Sequence, residues 1–237
     1  MAYQTGAYDP TSPTGLSASF APSPAKSRQA VRPNRYFGIR KRLFDILMVL
    51  VAIPVVLPLV VVLWAMVRTD RGPGFYSQLR VGRDGRAFRC WKLRTMTPDA
   101  EDHLRRLCKA DPAIAREWAE NQKLAKDPRI TRFGHFLRRS SLDELPQLWN
   151  ILRGEMSFVG PRPFLPEQQA LYTEAGGEAY FLMRPGVTGE WQVRGRSATR
   201  FVDRVRFDEA YYDNASLVQD LRLMAETVLV VARMTGR

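Results

Sequence analysis

The sequence of 237 residues predicts an α+β fold that is seated on a membrane. Three observations predict it: an uncharged apolar segment over residues 46–67, strand-like alternation around a turn over residues 75–96, and amphipathic helical segments in the remainder. Without its tail and membrane element the chain keeps about 165 residues, enough for one domain with its own core. We therefore expect a disordered basic tail (1–36), a membrane helix (37–70) and one cytosolic domain (71–237).

The composition predicts anionic partners. The formal net charge of +12 attracts lipid headgroups, phosphorylated substrates or nucleic acid, and charge alone does not choose among them. Cys90 and Cys108 lack metal-ligand spacing and the two histidines are isolated, so these residues predict no metal site. Residues 1–36 are rich in proline and small polar residues without a hydrophobic period, which predicts a disordered tail whose basic end lies on the membrane surface.

The apolar segment over residues 46–67 contains no charged residue, and as a straight helix it is about 33 Å long, enough to span a bilayer. Basic residues flank both of its ends, and positive flanks are expected on the cytoplasmic side. Pro54 and Pro58 lie near its middle and predict a kink or a break. A re-entrant helix that dips into the bilayer and returns satisfies both observations; a one-pass anchor is the alternative.

The hairpin prediction rests on residues 75–96. Strand-like alternation on both sides of GRDG is a hairpin signal, and the second strand carries Lys92 and Arg94. Later in the chain the Gly-rich basic segment RPGVTGEWQVRGR, residues 184–196, could approach a phosphate closely or form an ordinary surface turn.

Helical periodicity accounts for most of the other residues. The predicted helices cover residues 98–126 with a break at Pro112, a short helix at the end of the basic link 126–139, and residues 145–152, 202–212 and 217–234. The last of these carries a broad apolar stripe. That stripe predicts either a core helix or a helix in the bilayer interface.

The most informative motif is SSLDELPQLWNILRGEMSFVGPRP, residues 140–163, which places adjacent carboxylates between a basic segment and a Gly-Pro-Arg-Pro turn. A carboxylate can attack phosphorus, a second one can hold a divalent cation, and arginines can neutralise phosphate oxygens. The carboxylates are Asp143 and Glu144. The same letters also fit an ordinary helix start, with Ser140 or Ser141 as the cap.

Taken in order, the motifs of residues 38–235 resemble those of a known family. They are KRLFD (41–45), the apolar segment with its central proline, GPGFYSQLRVGRDGRAFRCWKLRTM (72–96), SSLDELPQLWN, GEMSFVGPRP, RPGVTGEWQVRGRS and YYDNASLVQDL. They closely resemble the bacterial sugar transferase family, the monotopic polyprenyl-phosphate phosphoglycosyl transferases. The resemblance implies a compact, membrane-associated α+β catalytic domain with a β-hairpin, amphipathic interfacial helices and an N-terminal re-entrant membrane helix.

The resemblance also implies roles for individual residues. Asp143 matches the family's nucleophile, and Glu144 matches its partner, which is associated with Mg²⁺. The positions suited to holding substrate phosphates are Arg138, Arg162, Arg196, Lys92 and Arg94, and Asp220 falls in the C-terminal Ser-Leu-x-x-Asp-Leu pattern. Two departures concern Leu57, which stands before Pro58 where the family often has serine, and Glu190, which replaces a usually apolar residue.

The implied activity is transfer of a sugar 1-phosphate from a UDP-sugar to undecaprenyl phosphate, with release of UMP, through a covalent aspartyl intermediate. That activity initiates assembly of an exopolysaccharide or another glycoconjugate at the cytoplasmic face of the bacterial inner membrane, among anionic lipids and without nucleic acid. A membrane-anchored nucleic-acid-binding protein and a non-catalytic membrane scaffold are the alternatives. The sequence leaves open which sugar is used, and also the oligomeric state, a homo-oligomer included.

Overall fold

The computed structural model describes residues 34–121, 124–195 and 200–232, and these residues combine helices with two small sheets. The helices are α1 (Ile39–Val67), α2 (Ala100–Ala110), α3 (Pro112–Asn121), α4 (Arg132–Ser140), α5 (Gln147–Arg153), α6 (Gln169–Glu174), α7 (Ala179–Leu182), α8 (Arg204–Asn214) and α9 (Leu217–Ala232); the strands are β1 (Phe75–Val81), β2 (Ala87–Leu93), β3 (Ser157–Val159) and β4 (Gly186–Thr188). This mixture confirms the predicted α+β class. Residues 1–33 of the predicted disordered tail (1–36) lie outside the described residues, and so does Arg196.

The first sheet is the predicted hairpin. Strands β1 and β2 are antiparallel, with Phe75 opposite Leu93 and Val81 opposite Ala87. In the turn between them Asp84 and Gly85 have φ of 58° and 73°. This left-handed conformation suits glycine and is tolerated by aspartate, so the GRDG signal was a sound basis for the prediction.

The second sheet is a short parallel pair that holds the Gly-Pro-Arg-Pro turn. Strand β3 pairs with β4, Ser157 lying opposite Gly186, and the amide of Gly186 donates to the carbonyl of Pro161 at 2.8 Å. A Cβ atom on Gly186 would lie 2.1 Å from the amide nitrogen of Gly160. Only glycine permits this approach, so the chain that carries Arg162 is pinned to β4 at one defined place.

Helix α1 is continuous through both prolines, so of the predicted kink or break the break is wrong, and the kink stays a prediction. The spacing of Pro54 and Pro58 supplies the physical reason. Each proline removes one hydrogen bond of the i→i−4 ladder, and because the two lie four residues apart, both defects fall on the same face of the helix. The ladder on the other face is intact, which allows a bend without an interruption.

Both ends of α1 pack against the same domain. Near its start Lys41 and Asp45 are buried, and at its end Leu63 and Val67 pack with Leu93. Between these ends the apolar side chains are largely uncovered; Val55, for example, is 73% exposed. Residues Ile39–Asp70 form a helix long and apolar enough to cross a membrane by length and composition.

Helix α9 turns most of its apolar stripe away from the protein. Its buried face is formed by Asp220 and Leu223, both with 0% exposure, whereas Val218 is 76% exposed and Val228 67% exposed. A core helix would have hidden the stripe. Of the two predicted placements, the uncovered face therefore favours the bilayer interface.

The other predicted helices lie close to their predicted positions, whereas α6 and α7 were not predicted. Helix α2 ends at Ala110 and α3 begins at Pro112, which confirms the predicted break. Helix α4 ends the basic link, and a core cluster behind α5 contains Val49, Phe88 and Ile151. Through that cluster α1, β2 and α5 share one core, and this places the hairpin beside the segment that carries the two carboxylates.

Candidate active site

Asp143 and Glu144 lie in a 3₁₀ turn, Leu142–Glu144, between α4 and α5. Ser141 ends α4 with φ of 57°, a left-handed conformation that reverses the chain direction. Its hydroxyl caps no helix here, and Ser140 donates instead to the carbonyls of Phe136 and Leu137. The pair is therefore presented by a sharp turn, and the ordinary helix start with a serine cap is not observed.

Lys92 and Arg162 converge on this pair from other parts of the chain. Nζ of Lys92 lies 2.6 Å from Oε1 of Glu144 and 3.8 Å from Oδ2 of Asp143. Nη2 of Arg162 lies 3.4 Å from the same Oε1. Strand β2 supplies the lysine and the turn pinned to β4 supplies the arginine, so the fold brings residues 92, 143–144 and 162 to one place.

The two carboxylates have opposite pKa shifts. Burial raises the pKa of Asp143, the neighbouring Glu144 adds to the rise, and Lys92, Arg138 and Arg162 offset it only in part. Burial alone would raise the pKa of Glu144 as well, but Lys92 and Arg162 outweigh it and lower the pKa to about 2. Glu144 is thus the firmly ionised member of the pair, and Asp143 is the more basic carboxylate.

A cleft borders this cluster. Its lining residues are Arg80, Cys90, Lys92, Glu144, Gln147, Arg162, Pro163, Gly186 and Val187, and its empty volume is about 270 Å³, counting the space open to solvent. Its basic lining suits an anion such as a phosphoryl group, and a whole nucleotide sugar would extend beyond it.

Three further predicted residues have other surroundings. Arg138 donates from Nε to Oγ1 of Thr95 at 2.8 Å, near enough to Asp143 for its charge to lower that residue's pKa. Arg94 does not join the cleft. It forms an ion pair with Asp70 at 2.5 Å and donates to the carbonyls of Val67, Pro73 and Met96.

Asp220 is also held elsewhere. Its carboxylate accepts from Lys41 at 2.6 Å, from the hydroxyl of Tyr36 at 2.7 Å and from the hydroxyl of Tyr211 at 2.6 Å. This network ties α9 to the start of α1, and in this arrangement Arg94 and Asp220 brace the two ends of α1. Their predicted contacts with substrate stay predictions.

The carboxylate pair offers a limited donor set for Mg²⁺. Among the described residues no group of three or more His, Cys, Asp or Glu side chains could hold a metal ion. Mg²⁺, however, is often bound by one or two carboxylates, with substrate phosphates and waters in the other positions. The ion pairs formed by Glu144 within the described residues use its Oε1 atom. Because Asp143 and Glu144 supply so few ligands, these two carboxylates fit Mg²⁺ only together with a phosphate-bearing substrate.

Sequence reasoning missed two arginines. Arg80 lines the cleft, and the hairpin register could have revealed it. With GRDG as the turn, Tyr76 lies directly opposite Lys92. Arg80 is four residues after Tyr76, so it is on the same face of the hairpin as Lys92. Arg204 is buried in α8 and donates from Nη2 to the carbonyl of Arg162. No local pattern distinguished Arg204, because its partner is 42 residues away in the chain.

Comparison with known proteins gives the relatives of this chain. A sequence profile described as "Bacterial sugar transferase" matches residues 36–234. The "UDP-galactose-lipid carrier transferase" of Erwinia amylovora is 47% identical over 197 residues, 83% of this chain and 41% of the relative. The "Undecaprenyl-phosphate galactose phosphotransferase" of Salmonella typhimurium is 41% identical over 207 residues, 87% of this chain and 43% of the relative. This chain therefore spans about two fifths of the length of these two proteins.

A third relative is similar in length. The "Exopolysaccharide production protein ExoY" of Sinorhizobium fredii is 43% identical over 208 residues, which are 87% of this chain and 91% of the relative. The residues matched by the family profile, 36–234, include α1, the hairpin, the carboxylate turn and α9.

Proposed function

Since the chain belongs to the bacterial sugar transferase family, we propose that it transfers a sugar 1-phosphate from a UDP-sugar to undecaprenyl phosphate and releases UMP. This step would initiate assembly of an exopolysaccharide or related glycoconjugate. The name of the Erwinia relative supports a UDP-sugar as donor. The name of the Salmonella relative supports undecaprenyl phosphate as acceptor, and that of the Sinorhizobium relative supports exopolysaccharide production as the pathway. The observation that carries the proposal is the convergence of Lys92 and Arg162 on the Asp143–Glu144 pair.

The first chemical step uses Asp143 as nucleophile. A carboxylate oxygen forms a bond to the sugar-bearing phosphorus, the bond from that phosphorus to the bridging oxygen breaks, and UMP leaves with the electron pair. The product on the protein is an acyl phosphate that carries the sugar. Burial, which raises the pKa of Asp143, makes its carboxylate a stronger nucleophile than an exposed aspartate.

The second step regenerates the enzyme. A phosphate oxygen of undecaprenyl phosphate attacks the same phosphorus, and the bond to Asp143 breaks. Both steps bring anions together, so Lys92 and Arg162 have the task of offsetting the repulsion. Glu144, whose pKa is about 2, stays ionised and holds both cations in place.

We further propose that Asp143 and Glu144 hold Mg²⁺ when a phosphate-bearing substrate is present. The ion would supply charge neutralisation on the phosphate oxygens. Its role would be supported by loss of activity on chelation and recovery with Mg²⁺.

The membrane seat is also a proposal. Lys41 at the start of α1 pairs with Asp220, and the carbonyl of Val67 at its end accepts from Arg94. Contact of both ends with one domain supports placing them on the same side of a bilayer. The helix of 29 residues would be about 43 Å long if straight. We infer that its uncovered middle dips into the cytoplasmic leaflet of the inner membrane and returns, with α9 in the interface beside anionic lipids.

The function is tested by release of UMP from a panel of UDP-sugars, UDP-galactose first, with and without undecaprenyl phosphate. Asp143→Asn keeps the size of the side chain but loses the nucleophile, so it should abolish turnover without unfolding the protein. Retention of more than a few per cent of the activity would overturn the nucleophile assignment. Arg89→Gln, an exposed position on β2, is the matched control and should retain full activity.

The membrane seat needs a separate test. Single cysteines replace Ala30 and Phe75 in a background with Cys90 and Cys108 changed to alanine, and intact cells are treated with an impermeant thiol reagent. Protection of both sites is expected for a re-entrant helix. Labelling at position 30 from outside would make α1 a one-pass anchor.

A further inference from the structure

Arg80 faces the same cleft as the proposed phosphate-binding residues. It lies on β1, and the cleft that it lines also contains Lys92, Glu144 and Arg162. Strand β1 sets this direction, because residues two apart in a strand share a face and Arg80 alternates with the outward Leu79, which is 46% exposed. Arg80 is therefore directed toward the cluster by regular strand geometry.

The charge of Arg80 has no acidic partner among the described residues. Its Nη2 donates to Oε1 of Gln78 at 2.7 Å and its Nη1 to the carbonyl of Pro163 at 3.4 Å, and both acceptors are neutral. The contact of 3.4 Å is also at the weak end of hydrogen-bond distances. Burial, and next the positive charge of Arg162, lower the pKa of Arg80. A partly buried guanidinium beside a second one is costly unless an anion joins them.

The lining of the cleft has an excess of positive charge. It contains the three cations Arg80, Lys92 and Arg162 and one carboxylate, that of Glu144. Lys92 and Arg162 are already paired with Oε1 of that carboxylate. Arg80 is the lining cation left for another anion, and a phosphoryl group has the negative charge that this lining lacks.

We propose that Arg80 is a phosphate-binding residue that holds a phosphoryl oxygen between itself and Arg162. The anion site follows from the charges of the cleft alone. That the bound anion is a phosphate of the UDP-sugar or the phosphate of undecaprenyl phosphate rests on the proposed function. The planar fork of arginine can contact two oxygens of one phosphate, which lysine cannot reproduce.

The test uses the full chain in detergent micelles and inorganic pyrophosphate as the probe, with binding measured by calorimetry at fixed ionic strength. Wild type should bind the probe, and Arg80→Gln should weaken binding about 10-fold to 100-fold, as expected for loss of a charge-assisted hydrogen bond. Arg80→Lys should also weaken it, by about 10-fold, because the charge remains and the fork is lost. Arg89→Gln should bind like wild type.

Two activity measurements distinguish the source of the phosphate. Slower UMP release by Arg80→Gln in the absence of lipid acceptor would assign the subsite to the donor. Normal release with a raised KM for undecaprenyl phosphate would assign it to the acceptor.

Three results would overturn the inference: no binding of pyrophosphate to wild type, wild-type binding by a folded Arg80→Gln, or, if that variant unfolds, wild-type binding by Arg80→Lys. Absence of UMP release by wild type would refute the proposed function instead, and the calorimetric result would still decide the anion site.

Discussion

Replacing Lys92 with methionine should remove most of the stabilisation that ionised Glu144 contributes. The ordinary pKa of Glu144 is 4.5, and in the folded protein it is about 2. A difference of this size corresponds to roughly 3 kcal/mol at neutral pH, at 1.36 kcal/mol for each pKa unit. Lys92 exerts the larger of the two cationic influences on Glu144. We therefore expect Lys92→Met to lower the free energy of unfolding by about 2 kcal/mol at pH 7.

The pH dependence gives this prediction its sign. The folded-state pKa of Glu144 is depressed, so its contribution is fully present above pH 4.5 and is lost as the pH falls toward 2. The stability difference between wild type and Lys92→Met should accordingly shrink between pH 4.5 and 2. Methionine keeps the length and most of the apolar stem of lysine, so lost packing contributes little.

The assay is urea unfolding in detergent micelles, followed by tryptophan fluorescence at several pH values. Arg89→Met, a change of the same kind at an exposed position of the same strand, is the control and should change stability by less than about 0.5 kcal/mol. A difference between wild type and Lys92→Met that stays constant from pH 7 to pH 2.5 would refute the reasoning. It would mean that Lys92 acts through packing and not through its charge on Glu144.

The remaining predictions concern activity, metal and topology. Glu144→Gln should lose most UMP release, and chelation of divalent ions should silence wild type until Mg²⁺ is restored; full activity in excess chelator would remove the metal from the proposal. Arg162→Lys should reduce kcat/KM for the UDP-sugar despite its retained charge, because the fork on the phosphate is lost; an unchanged value would make Arg162 a brace of its turn. Asp220→Ala should lower the thermal unfolding temperature, since it leaves Lys41 buried without its partner; an unchanged temperature would contradict a bracing role. Replacing Pro54 and Pro58 with leucine should restore the ladder on one face of α1 and let a straight spanning helix compete, seen as partial labelling at position 30 from outside; protection equal to wild type would show that the prolines do not set the topology.

Local patterns predicted several structural features that depend on neighbours in the chain. The hairpin followed from alternation and GRDG, and the separation of α2 and α3 followed from Pro112. The carboxylate pair is likewise visible as two adjacent residues, from which its proposed chemistry starts. The break at Pro54 and Pro58 was wrong because the rule for one proline does not say how two defects on one face combine.

The placement of apolar and basic side chains needed the tertiary structure. The apolar stripe of α9 is compatible with a core helix or with a helix in the bilayer interface. Only the packing of α9 on the domain shows that its buried face contains Asp220 and Leu223 and that most of the stripe is uncovered. Lys92 and Arg94 are two residues apart on one strand, yet Lys92 joins the carboxylates while Arg94 binds the end of α1. Which arginine meets which carboxylate is set by contacts between distant segments, and no local period records them.

By itself, the sequence determined the family, the α+β class, the apolar helix, the hairpin and the Asp143–Glu144 pair, because each is written in adjacent residues or in a short period. The tertiary structure alone decided that β2 brings Lys92 to Glu144, that β4 pins the turn of Arg162, and that Arg80 completes the cleft. It also decided that both ends of α1 contact one domain. The physical reason is that charge pairing and desolvation depend on distances through space, and these distances exist only once segments far apart in the chain have packed together.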